Sequence, residues 1–332
     1  MKPRVPKVQR PAPRVFILPG VFLVGVITGG LLFGGSSEAA APEPEEPPPL
    51  SMTRLWSQRE AAAPAAAPRA PAPAGVKVVS VAIDGTVPKS LAPHLGPLTD
   101  ALSAEVSRLL VWDLDMRRDL RAGDRLDVVY EGDSAETIEV LALRLRSGKL
   151  GRDLEAYHFK ASGDAYPSWW TPGGTEVPKR LENGPIEDYE QITSLLKDRP
   201  KHKGMDFKAP VGAAVTTPRD GVVTRTNWKH TANGNCVEVR HTDGVIAKYL
   251  HLSRTDVQPG QTLTAGTVVG LSGNTGRSTG PHLHYQLERG KSIVDPLDYH
   301  GTTRRELPAA DLAGLKAAVD RLQKLLPSDP SS

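Results

Sequence analysis

Seven of the nine histidines in this 332-residue chain fall between residues 202 and 300. His202 and Asp206 stand in His-x-x-x-Asp spacing, and His282 and His284 in His-Leu-His. On a strand, residues two apart share a face, so the second pair would present both imidazoles together. His251 closes the segment Ala-Lys-Tyr-Leu-His-Leu, where alternation puts Ala247 and Tyr249 on its own face. Zinc in catalytic sites takes three protein ligands from imidazole and carboxylate and keeps a fourth position open. Two histidines and one carboxylate meet that count. Two further histidines remain to act on water and substrate. Spacing alone leaves open which histidine does which. His241 and His300 read as ordinary surface or turn residues.

The elements that must hold these residues read as short strands. Gly221 to Asn227, Cys236 to His241, Val245 to His251 and His282 to Leu287 are separated by glycine turns such as Asp220-Gly221, Asp243-Gly244 and Pro259-Gly260. This predicts a mainly β domain over 185–300. A smaller α+β accessory domain is expected over 76–180. Strands are read at VKVVSVAIDG, Arg125 to Tyr130 and Ile138 to Leu145, with a helix over Leu98 to Leu110 capped by Thr99 or Asp100. Tyr166 to Gly174 reads as a turn-rich connection carrying Trp169 and Trp170. The segment 301–332 is a C-terminal helix and tail, with Leu312, Leu315, Val319, Leu322 and Leu326 on one stripe.

The N-terminus sets the compartment. A basic tail, 1–14, precedes the uncharged run Val15 to Gly35, and glutamates follow at once. Twenty-one residues at about 1.5 Å each span roughly 30 Å, so 15–35 is expected to be a transmembrane anchor. The positive-inside rule then puts residues 36–332 in the periplasm or cell-wall space of a single-pass inner-membrane protein. A cleaved signal peptide would export the chain equally. Residues 36–75, rich in Ala, Pro and Glu, form a linker of at most roughly 120 Å. Cys236 is the only cysteine, which excludes an internal disulfide, and a net charge of +3 gives no reason to expect nucleic acid.

Residues 202–299 resemble the lysostaphin-like zinc endopeptidases of the bacterial cell wall. The stretches HKGMDFKAPVGAAV, GNCVEVRHTDGVIAKYLHLS, VQPGQTLTAGTVVGLSGNTGRSTGPHLHYQL and VDPLDY carry the likeness. The resemblance implies a small open antiparallel β-sandwich, with one Zn2+ on His202, Asp206 and His284 and with His251 and His282 as catalytic histidines. It implies peptidoglycan as substrate. Through VWDLDMRRDLRAGDRLDVVYE the accessory domain is similar to that of Gram-negative D,D-endopeptidases, which implies cleavage of direct cross-links. Relatives carry a loop before the first ligand, whereas here Arg199-Pro200-Lys201 leads straight into His202, so the groove wall on that side is expected to be trimmed. Some relatives have lost their ligands and activate other wall hydrolases; all five site residues are present here. The paired glycine turns also resemble a swinging-arm carrier, but no lysine lies between Lys248 and Lys291 to bear a cofactor. The accessory domain is expected to restrain access to the groove, with Trp169 and Trp170 either anchoring that contact or capping the domain's own core.

Overall fold

The computed structural model describes residues 73–196, 198 and 201–328. The basic tail, the apolar run 15–35 and all but the end of the Ala/Pro-rich linker lie outside the described residues. Among the described residues, no helix is long and apolar enough to cross a membrane.

Two antiparallel assemblies follow one another. The first is a meander of β1 (Lys77–Ala82), β2 (Arg125–Glu131), β3 (Glu139–Ser147), β4 (Arg152–Phe159) and β5 (Ser168–Trp170), paired in that order. Between β1 and β2 run α1 (Val87–Leu95) and α2 (Thr99–Leu110). Helix α2 buries Leu102, Val106, Leu109 and Leu110 against this sheet, as its 3.6-residue period dictates. Its first turn continues from a 3-10 turn, with Leu98 at the N-cap and no side-chain cap. The Thr99 hydroxyl donates back to Gly96 O instead.

The segment expected to be a turn-rich connection is in part a strand, β5. Trp169 packs in the core under the helices and donates its indole N–H to Val140 O (2.9 Å). Trp170 faces the other side of the sheet and donates to Phe159 O (3.0 Å). Both tryptophans therefore cap the accessory sheet itself.

The second assembly contains β6 (Arg180–Leu181), β7 (Gln191–Ser194), β8 (Met205–Lys208), β9 (Ala214–Thr216), β10 (Gly221–Thr226), α3 (His230–Asn233), β11 (Asn235–His241), β12 (Ile246–Leu252), β13 (Arg254–Thr255), β14 (Thr262–Leu263), β15 (Val268–Leu271), β16 (His282–Arg289) and β17 (Ser292–Val294). The main sheet runs β14-β10-β11-β12-β16-β8-β7, with β17 beside β16, and a smaller sheet runs β13-β15-β9. Phe207, Val239, Tyr249, Leu283 and Tyr285 of the large sheet meet Val215 and Val269 of the small one in a single apolar core. Trp112, just beyond α2, is buried in that same core, so the two assemblies are keyed together.

After β17 come α4 (Pro296–His300), β18 (Thr302–Thr303), which pairs with β6, and α5 (Leu312–Gln323). Helix α5 returns to the accessory sheet. Leu315, Val319, Leu322 and Leu326 cover the face that holds Val129, Tyr157 and Trp170, while Leu312 stays exposed. Arg305 fastens this return with hydrogen bonds to Asp164 and Glu176, and Arg304 does so with one to Asp113.

Candidate metal centre and groove

The sheet register builds the site. In β16, Leu283, Tyr285 and Leu287 point into the core, which turns His282 and His284 to the opposite face. Strand β8 pairs antiparallel with β16, and His284 lies directly opposite Asp206. Cross-strand partners share a face, so the carboxylate meets the imidazole: His284 Nδ1 lies 2.7 Å from Asp206 Oδ1. His202, four residues before Asp206, brings its Nε2 to 3.0 Å from Asp206 Oδ2. Donor atoms of His202, Asp206 and His284 all lie within 4.8 Å of one another.

Gly204 sits between the two ligand-spaced residues for a steric reason. A Cβ there would fall 2.3 Å from Tyr285 O and 2.9 Å from His284 Nε2. Any other residue would push the His202 segment off the sheet.

The donor set fits a cation. His202 Nδ1 lies 2.9 Å from Leu195 O, and a carbonyl only accepts, so Nδ1 carries the hydrogen. The lone pair of a neutral His202 is then on Nε2, facing a carboxylate oxygen. A proton shared between Nε2 and the carboxylate satisfies this 3.0 Å contact, and a cation held by the two imidazoles and the one carboxylate would take that proton's place. Burial alone would raise the Asp206 carboxyl, but the hydrogen bonds to His202 and His284 hold it well below the usual carboxylate range. The group is thus ionised and ready to coordinate.

His251 and His282 stand beside this cluster with ring centroids 4.8 Å apart. His251 Nδ1 bonds Thr275 O at 2.9 Å, and His282 Nδ1 bonds Gly280 O at 2.8 Å with Ser278 Oγ at 3.0 Å. Both Nδ1 atoms therefore act as donors to backbone, which leaves each Nε2 with its lone pair. Burial lowers the His251 pKa from its ordinary value, keeping that imidazole neutral.

His251 departs from the alternation expected along β12. Ala247 and Tyr249 are fully buried in the core, and Tyr249 pairs with Tyr285 on the core face. Strict alternation would bury His251 there too. Instead β12 bulges: Cys236 of β11 faces both Leu250 and His251, and His251 takes a left-handed backbone with φ 65°. The extra residue moves its ring to the face of His282 and His284. His241 and His300, expected at the surface, are both buried. His300 Nε2 lies 3.0 Å from the Tyr285 hydroxyl, inside the core.

A groove of about 980 Å³ opens over the site. The loop 277–282 forms one wall, and α2 with Val111 and Met116 forms another. No sequence signal pointed to α2 as a groove element, because its apolar period reports only its buried face.

Residues 200–296 match Peptidase family M23. Over 258 residues the chain is 31% identical to Peptidoglycan DD-endopeptidase ShyA of Vibrio cholerae, covering 74% of this chain and 58% of that protein. It is 40% identical over 125 residues to DD-carboxypeptidase/endopeptidase Mpg of Neisseria meningitidis, covering 38% and 28%. Among solved structures, a zinc containing peptidase from Vibrio cholerae is 28% identical at a TM-score of 0.32, covering 70% of this chain and 71% of that one. The chain thus spans little more than half the length of ShyA.

Proposed function

We propose that the chain, whose residues 200–296 match Peptidase family M23, is a zinc-dependent D,D-endopeptidase that hydrolyses peptide cross-links of peptidoglycan. The observation that carries this reading is the convergence of His202, Asp206 and His284 within 4.8 Å, beside the His251–His282 pair and under an open groove. The relatives' names, peptidoglycan DD-endopeptidases, supply the substrate class.

In this reading His202 Nε2, an Asp206 oxygen and His284 Nδ1 would hold the zinc, whose contribution when bound would be Lewis acidity toward water and the scissile carbonyl. The rest of the chemistry belongs to the chain. His251 and His282 each offer an Nε2 lone pair, so one imidazole accepts the proton of the attacking water and returns it to the leaving amine. The other, carrying a proton taken up from solvent, donates to the developing oxyanion. The backbone bonds at both Nδ1 atoms keep the two rings in the required tautomer and orientation. A regulator without catalytic activity has no use for five intact donors, and all five are present.

The apolar run at 15–35 extends the proposal to an inner-membrane anchor, with the enzyme held on a linker in the periplasm or cell-wall space. The direct test of the metal role is stoichiometry. Purified protein should hold one zinc per chain, lose wall cleavage on chelation and regain it on adding zinc back. A metal-free protein that still cleaves would overturn the assignment.

A further inference from the structure

Three separate segments of the chain supply basic side chains to the groove. Lys208, Arg108 and Arg277 all line it. Lys208 is engaged by Glu190 at 2.6 Å. Arg108 is held by Glu105 at 2.6 Å, and Glu105 in turn accepts from Gln191 of β7, which fixes the guanidinium at the seam between α2 and the main sheet. Arg277 differs: it is exposed, and it has no ion pair with any described residue. Its position is nevertheless set, because its backbone N–H donates to Ala232 O at 3.0 Å. The loop that carries it also supplies Ser278 and Gly280, the partners of His282. Neither described acidic residue of the groove forms an ion pair with Arg277. Asp206 is committed to the metal cluster, and Asp198 accepts the Leu195 N–H at 2.7 Å.

We propose that Arg277, assisted by Arg108 of α2, is a specificity determinant that binds a free carboxylate of the peptidoglycan stem peptide in the groove. The inference rests on the peptidase reading above and names the substrate feature that reading leaves unspecified. A guanidinium presents two parallel N–H donors that match a carboxylate. Arg108 spends one nitrogen on Glu105 and keeps further donors. Stem peptides carry free carboxylates that amidation removes, so the enzyme should distinguish the two forms. The accessory helix α2 is then part of the substrate site.

The test uses zinc-loaded full-length protein and a purified cross-linked muropeptide dimer, with its stem carboxylates either free or amidated. Wild type should cleave the free form with kcat/KM about tenfold higher or more, expressed mainly in KM. Arg277→Gln should bring the free-to-amidated ratio toward one. Arg277→Lys should keep part of the preference, and Arg108→Gln should reduce it to a smaller extent. A merely structural role for Arg277 would lower both rates together and preserve the ratio. Equal cleavage of both forms by wild type, or an unchanged ratio in Arg277→Gln, would overturn the proposal. Cleavage of neither form would overturn the peptidase assignment and this inference with it, so the two failures are distinguishable.

Discussion

The rings of His251 and His282 lie 4.8 Å apart, although strict strand alternation would put them on opposite faces of the sheet. A bulge and a left-handed residue at His251, φ 65°, bring them together. Such a backbone costs a non-glycine residue about 1 kcal/mol or more. The site therefore carries local strain in return for placement of a neutral imidazole. His251→Gly should unfold in urea about 1 kcal/mol later than His251→Ala, since glycine alone adopts this φ freely. Both variants should lose wall cleavage. Equal stability of the two would show that the bulge relaxes when the imidazole is removed.

The two histidines of His-Leu-His should separate by metal analysis. His284 faces Asp206 across the β8–β16 pair, whereas His282 bonds only backbone and Ser278. His284→Ala should lose both zinc and cleavage. His282→Ala should lose cleavage by two orders of magnitude or more, on the scale typical of a lost general base, while retaining zinc. Zinc lost from His282→Ala but kept by His284→Ala would reverse the assignment.

Acid should weaken the fold through His300. Burial, with Arg219 and His241 nearby, pushes this imidazole down to about 4. The unfolded chain therefore binds the proton at a higher pH than the folded one. The stability contribution is complete above the ordinary histidine value of about 6.5 and is lost as pH falls toward 4, up to about 3 kcal/mol. The urea midpoint of metal-free protein should drop between pH 7 and pH 5. His300→Asn should be less stable at pH 7 but should show a smaller drop. An identical drop in the variant would place the sensitivity elsewhere.

The catalytic segment should not stand well alone. Trp112 fills part of its core from the accessory side, and α5 spends its apolar stripe on the accessory sheet. A fragment starting near residue 185 leaves a hole at Trp112 and exposes Leu315, Val319, Leu322 and Leu326. Its melting temperature should fall by several degrees relative to a fragment starting near residue 76. Equal melting would mean that the two assemblies fold independently.

Much of the site was legible because its chemistry is local. His-x-x-x-Asp and His-Leu-His each bring their side chains together within one segment, and the glycine turns announce the strands between them. What stayed hidden is long-range. The bulge at His251 arises from a mismatch between β11 and β12 that alternation in β12 alone does not show. The role of α2 as a groove wall depends on where its polar face lands, and periodicity reports only the buried one. The same holds for α5, whose stripe was evident but whose partner was not. His241 and His300 are buried because of contacts that local spacing does not report: Asp220 O for His241 and the Tyr285 hydroxyl for His300.

Digestion of purified, directly cross-linked peptidoglycan with the zinc-loaded protein, followed by mass spectrometry of the released muropeptides, decides whether the chain is a D,D-endopeptidase. A D,D-endopeptidase would convert cross-linked dimers into monomers with intact glycan. Dimers left intact by wild type, or cleavage confined to pentaglycine bridges, would contradict that assignment.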